Sequence, residues 1–275
     1  MIRSLVLALA LGAFVNVSVQ AQPKAMTDDQ MKRWVAKSLE LKPDEQEAAF
    51  RAKMGELNPK FDPSAIKVVA DKDGVVREVT IPTAYAEDIR PVAVFRDLEK
   101  LSAHASAVHP SKLADVSCLR GLTKLKELSL GSTSVVKLSP LAELKLLEKL
   151  YLPNTPVKDI SVLKGMPLTA VELPAGVAAK DLQVLKGKPL RTFVTHGPGP
   201  DTAKQFNDAF GDAKLETYRV GRSDLDDLRP LANMPLVALG LGESPKLKSL
   251  APLKACAALQ LTVRSSSEVF SEILA

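Results

Sequence analysis

Aromatic residues make up only 4% of the 275-residue chain, and it has three histidines, two cysteines and one tryptophan. Nucleic-acid binding asks for a basic stripe with stacking aromatics. Here the formal charge is only +5 and lysines and arginines form no run, so no nucleic-acid partner is expected. His104 and His109 are five apart, off a shared helical face, and no cysteine or acidic pair supplies zinc-ligand spacing, so neither a metal nor a cofactor is expected. The sequence lacks a nucleophile elbow of the G-x-S-x-G kind and the lysine strand, HRD-type loop and DFG triplet of kinases. GPGPD at 197–201 lacks the lysine and the glycine spacing of a phosphate loop. No catalytic residue emerges, and the expectation is a protein without enzymatic activity.

Long apolar runs are equally scarce. The longest, Leu5 to Val15, follows Arg3 and precedes the small-x-small pattern Val19-Gln20-Ala21. It is shorter than the roughly 20 residues a membrane span needs, and it reads as a secretory signal peptide over 1–21, cleaved after Ala21. No cysteine near that point offers a lipid anchor, and no spanning run follows. The expectation is a secreted or periplasmic protein without stable membrane insertion.

Residues 22–75 read as an N-terminal cap. Thr27 and Gln30 have capping-box spacing, and Met31, Trp34, Val35 and Leu39 recur at helical intervals. Pro43 suits a first helical position, Phe50, Met54 and Leu57 form a second stripe, and Asn58-Pro59 stops it. Residues 65–81 then read as two strands around the Asp73-Gly74 turn.

From residue 76 the chain repeats an apolar-x-x-apolar-x-apolar unit. Its clearest copies are Leu125/Leu128/Leu130 and Leu147/Leu150/Leu152, and its last, weaker copy is Ala258/Leu261/Val263. A second column holds LSPL at 138–141, ISVL at 160–163, LQVL at 182–185, LRPL at 228–231 and LAPL at 250–253. A period of 21 to 27 residues lies within the range of leucine-rich repeats. Over residues 76–263 the chain resembles secreted bacterial leucine-rich-repeat proteins with short, internalin-like repeats of about 22 residues. LKGMPLTAVEL at 163–173 is typical of bacterial repeats found alone or fused to kinase domains. The resemblance implies an α/β solenoid, a right-handed superhelix with a parallel concave sheet, short 3-10 turns on the convex side and a helical and hairpin cap. It also implies binding of another macromolecule, and it carries over no fixed functional residue.

The residue pattern supports the same geometry independently. In L-x-x-L-x-L the last two leucines are two apart and point inward together, while the residue between them faces outward. Hydroxyls at 133, 155, 223 and 244 fall in a turn slot and are expected to bond backbone groups of the adjacent coil. Prolines at 91, 140, 230 and 252 restrict the convex side to short turns. One coil cannot bury its own leucines, so the array needs caps, and 264–275 is expected to cover the last coil. Cys118 and Cys256 fall six coils apart, roughly 29 Å at sheet spacing, which rules out a disulfide between them.

Two coils are longer than the rest. The second carries extra residues around 104–112, and the sixth around 195–213, where Asp201 could cap a helix with Ala203, Phe206 and Phe210 inward. Such insertions become loops on one face, often the binding face. The outward strand positions are the candidate contact surface: Tyr151, Glu172, Val194 and Arg219 in one column, Lys149 in its neighbour, and His104 and His196 at strand ends. Tyr and Arg are favoured interface anchors. The expected function is an exported scaffold binding a protein or glycan through its concave sheet. The alternatives are a structural envelope scaffold, or a regulatory module related to kinase-linked repeats.

Overall fold

The computed structural model describes residues 26–263, apart from 226, 248, 255, 257 and 258 and the side chains of 262 and 263. The expected signal peptide, the strand position at 258 and the expected cap at 264–275 lie outside the described residues.

Two helices open the described chain. In α1, Asp28–Ser38, Thr27 Oγ1 accepts from the Gln30 amide at 3.3 Å and Gln30 Oε1 accepts from the Thr27 amide at 2.8 Å. Two orphan donors of the first turn are thereby satisfied reciprocally. In α2, Pro43–Leu57, proline occupies the first turn, where its missing N–H costs nothing. Met31, Val35, Phe50 and Met54 are buried, and the Phe50 ring meets Phe95 of the first coil edge-on, centroids 4.9 Å apart.

Asn58 does more than stop α2. Its buried side chain donates to the carbonyls of Met54 (2.9 Å) and Asp88 (2.8 Å) and accepts from the amides of Glu87 (2.8 Å) and Asp88 (2.9 Å). These four bonds use the amide's donors and both acceptor lone pairs. They tie the helical hairpin to the first coil thirty residues on.

The strand pair starts later than the sequence suggests. Asp62 Oδ1 accepts from the Ser64 amide at 2.9 Å and caps a 3-10 turn at Pro63–Ala65, so β1 is Lys67–Ala70. β1 pairs antiparallel with β2, Val76–Pro82, with an irregularity between Val69 and Ala70. The turn between them is held by Asp71 Oδ1, which accepts from the amides of Asp73 and Val75, and by Gly74 at φ 79°. From β2 onward every pairing is parallel and in chain order. The later strands are β3 (Lys100–His104), β4 (Glu127–Ser129), β5 (Lys149–Tyr151), β6 (Ala170–Leu173), β7 (Thr192–Pro198), β8 (Thr217–Arg222), β9 (Ala238–Glu243) and β10 (Gln260–Val263). The result is one open ten-stranded sheet.

The inward residues stack in columns. Val79, Leu101, Leu128, Leu150, Val171, Phe193, Tyr218 and Leu239 face one another across successive strands, and none is more than 1% exposed. Opposite them lie the convex 3-10 turns, among them Arg90–Val94, Ser117–Gly121, Ser139–Leu141, Ser161–Gly165 and Ala179–Leu185, which bury Val92, Leu119, Leu141, Leu163 and Leu185. The four prolines fall in the first turns of these elements.

Two expectations need correction. The slot hydroxyls bond within their own coil rather than to the adjacent one: Thr133 Oγ1 donates to the Leu130 carbonyl at 2.7 Å and Thr155 Oγ1 to that of Leu152 at 3.0 Å. A hydroxyl three residues after a carbonyl closes the turn locally, and beside Thr133 a coil-to-coil link is made by the next residue, Ser134 Oγ to the Ser111 carbonyl at 2.9 Å. In the sixth coil, α3 spans Ala203–Phe210 and its cap is Thr202, not Asp201: Thr202 Oγ1 accepts from the Gln205 amide at 3.2 Å. The Asp201 amide is instead taken by Gln205 Oε1 at 2.8 Å.

α3 packs against the neighbouring convex turns, so this insertion builds core rather than a loop over the sheet. Phe206 and Phe210 close with Phe193 and Tyr218 into an aromatic cluster, centroids 4.6–6.0 Å apart. Tyr218 stands in the leucine column, and burial pushes its phenol well above the ordinary tyrosine range.

Glycines mark the strand ends of the last coils. A Cβ at Gly197 would lie 2.5 Å from the Ala175 carbonyl oxygen. A Cβ at Gly221 would strike the His196 carbonyl, and one at Gly242 the Gly221 carbonyl. The backbones approach too closely there for any side chain.

Asn58→Ala should lower unfolding stability by about 2–3 kcal/mol, because buried backbone groups lose their partners. Chemical denaturation of the two forms checks this. Gly221→Ala should destabilise through backbone clash rather than lost burial, by about 1–3 kcal/mol, and the same measurement reads it. Unchanged midpoints would remove either account.

Candidate functional site

Parallel pairing fixes which outward residues become neighbours. Ser129, Tyr151, Glu172, Val194, Arg219 and Gly240 form one row across β4 to β9. Strands lie about 4.8 Å apart, so Tyr151 and Arg219 are roughly 14 Å apart along the row.

The neighbouring rows are charged, and the alternation of sign along them was not recognised in the sequence. Glu78, Lys100, Glu127 and Lys149 succeed one another across β2 to β5. Lys100 Nζ lies 3.2 Å from Glu127 and 3.9 Å from Glu78, and Lys149 Nζ lies 3.3 Å from Glu127. One position earlier the signs reverse: Arg77, Glu99, Lys126 and Glu148, with Glu99 at 3.7 Å from Arg77 and 2.7 Å from Lys126. Together they make a checkerboard. The Lys126 ammonium holds the Glu99 carboxyl below its ordinary range, and the Glu127 carboxylate raises Lys149. Exposed pairs of this kind contribute at most about 1 kcal/mol each. Their stronger effect is that the first half of the sheet neutralises itself. Lys149 is part of this lattice and exposed, so its charge is already answered.

The second half differs. The same row continues as Ala170, Thr192, Thr217 and Ala238, small and uncharged. Above it stand the remaining candidates. Tyr151 is half-buried, and burial first, then Glu127, pushes its hydroxyl up. His196 extends from β7 and its Nε2 meets Glu172 Oε1 at 2.7 Å. Val194 lies half-buried between them and Arg219.

Arg219 is exposed and has no ion pair among the described residues. Its Cγ lies 2.9 Å from where a Cβ on Gly240 would sit, so its stem crosses β9 in the space glycine leaves. Gly240 is therefore the seat of Arg219, a role its place in the column hid.

Tyr151, Glu172, Val194, Arg219 and His196 thus share one patch. His104 does not join them. It ends β3, four strands from His196 or roughly 19 Å, and its Nδ1 contacts Ser102 Oγ at 2.7 Å. The 104–112 insertion beside it is a loop bearing Val108, 81% exposed. Among the described residues no group of three or more His, Cys, Asp or Glu is placed to hold a metal, and no helix is long and apolar enough to cross a membrane.

No protein-family profile matches the sequence, and no curated protein does. Solved structures do. An internalin from Listeria monocytogenes aligns over 79% of this chain and 69% of its own, at 18% identity and a TM-score of 0.53. Internalin C2 from Listeria monocytogenes aligns over 71% and 75%, at 19% identity and a TM-score of 0.41. The leucine-rich-repeat ectodomain of a receptor kinase from Arabidopsis thaliana aligns over 72% of this chain and 25% of its own, at 17% identity and a TM-score of 0.47. Together with the ladder of parallel strands and 3-10 turns, the first of these likenesses defines the fold: the chain is a leucine-rich-repeat solenoid of the short-repeat, internalin-like form.

Proposed function

We propose that the chain is an exported binding scaffold that engages a protein through the outward row of its concave sheet from β5 to β8. The observation that carries this reading is the division of the sheet. The early strands, β2 to β5, carry an ion-pair checkerboard. From β5 onward the outward row presents an aromatic, a carboxylate–imidazole pair, an apolar side chain and a guanidinium without an acidic partner among the described residues. Anchors of this composition around small neighbours are the features of protein interfaces. A glycan reader would want several aromatic platforms, and this row holds Tyr151 alone. The reading as a structural scaffold has no observation of its own to favour it.

Export rests on the N-terminal sequence. The protein recovered from the exported fraction should begin at Gln22, as N-terminal sequencing or intact mass would read. A chain retained whole in the cytoplasm would overturn it.

For the interface, affinity selection from the surroundings of the exporting cell should recover a protein partner. Tyr151→Ala with Arg219→Ala should weaken that complex about tenfold or more. Lys149→Ala should change it little. Equal binding by the double variant would remove the patch.

A further inference from the structure

The face opposite the sheet carries a second feature that the concave reading does not use. A groove of about 500 Å³ runs between α1 and the convex turns Arg90–Val94 and Ser117–Gly121. Its floor is apolar: Val35 from the helix, Ala93 from the first turn and the half-buried Cys118 from the second. Leu39, 38% exposed, extends this floor at the helix end.

The lining is cationic, with Lys32, Arg90, Arg96 and Arg120 against one lining carboxylate, Asp28, while Asp115 and Asp88 lie close enough to Cys118 to act on its thiol. These cations are not equivalent. Arg90 is committed, donating to Asp88 (2.6 Å), Asp28 (2.8 Å) and the Met26 carbonyl (2.9 Å). Lys32 leans on Asp29 at 3.5 Å, fully at the surface. Arg96 and Arg120 have no ion pair among the described residues. Arg96 also has a built seat: its guanidinium occupies the place a side chain at Gly121 would take. On the sheet face of the same coils cations alternate with acids, at 77 and 99 or 100 and 127 for example. In the groove they do not.

We propose that this groove docks an acidic protein segment, setting one apolar side chain on the Val35–Ala93–Cys118 floor between carboxylates held by Arg96 and Arg120. The volume suits one or two side chains rather than a folded domain, being near the lower end of ligand-site sizes. Arginine's planar fork matches carboxylates in a bidentate way. Nucleic acid is disfavoured because no aromatic ring lines the groove to stack a base. This surface is on the convex side and is independent of the concave patch, so the protein would hold two partners, or two parts of one, at once.

The test uses the full mature chain and fluorescence anisotropy. The probes are short labelled peptides with one Leu, Met or Phe flanked by glutamates, matched glutamine versions, labelled heparin and vesicles containing anionic lipid. At least one glutamate peptide should bind, its affinity falling with salt, and its glutamine version should not. Arg96→Glu with Arg120→Glu should weaken binding about tenfold or more. Ala36→Trp, on the exposed edge of α1, should obstruct the groove without changing its charge and weaken binding as well. Tyr151→Ala with Arg219→Ala should leave it unchanged. The proposal is overturned if no glutamate peptide binds, or if glutamine versions bind equally. It is also overturned if the groove variants bind like the parent, or if only heparin or vesicles respond to the two arginines.

Discussion

Every coil of this protein is buried by its neighbours. The leucine columns have no core of their own, and Leu128 is sealed only because Leu101 and Leu150 lie on either side. That dependence explains where the unusual chemistry concentrates. The first coil has no coil before it, so a helical hairpin supplies Phe50 and Met54, and the amide of Asn58 anchors the hairpin by bonds that stacking cannot provide. In the sixth coil the inward residue becomes Phe193 and the next Tyr218, and α3 adds two phenylalanines to fill the wider space around them. Where the backbones close up at the strand ends, glycine replaces every side chain.

The same constraint decides how much could be read beforehand. Stacking forces residues one repeat apart to be neighbours, so aligning the repeats was enough to pair Tyr151 with Glu172 and Val194 with Arg219. The capping box at Thr27 and Gln30 was legible for a similar reason, since both partners lie within one turn. What escaped depends on contacts that no period encodes. Asn58 looks like a helix stop because its partners Glu87 and Asp88 are thirty residues away. Asp201 and Thr202 are both competent caps, and side-chain reach selects the second. Gly240 looks like a gap in the outward column until Arg219 is seen lying across it. The alternation of charge was present in the aligned columns, but the meaning of each sign depends on the distance to the next.

Charge therefore divides the molecule along its length as well as across it. On the sheet, the early strands pair most of their own charges, and a later one carries a guanidinium with no ion pair among the described residues. On the turns, Arg96 and Arg120, without an ion pair among the described residues, lie at the first two coils beside α1. The two open regions lie on different coils and on opposite faces, so occupying one need not obstruct the other.

The checkerboard has a consequence for how such an array can change its length. Removing the single coil that carries Lys126 and Glu127 would set Lys100 beside Lys149 and Glu99 beside Glu148, like against like in both rows at once. Removing it together with the coil before it would set Glu78 beside Lys149 and Arg77 beside Glu148 and restore the alternation. Within the early part of the solenoid the charge pattern therefore survives a change of two repeats better than a change of one. The later part, whose corresponding positions are alanine and threonine, carries no such parity.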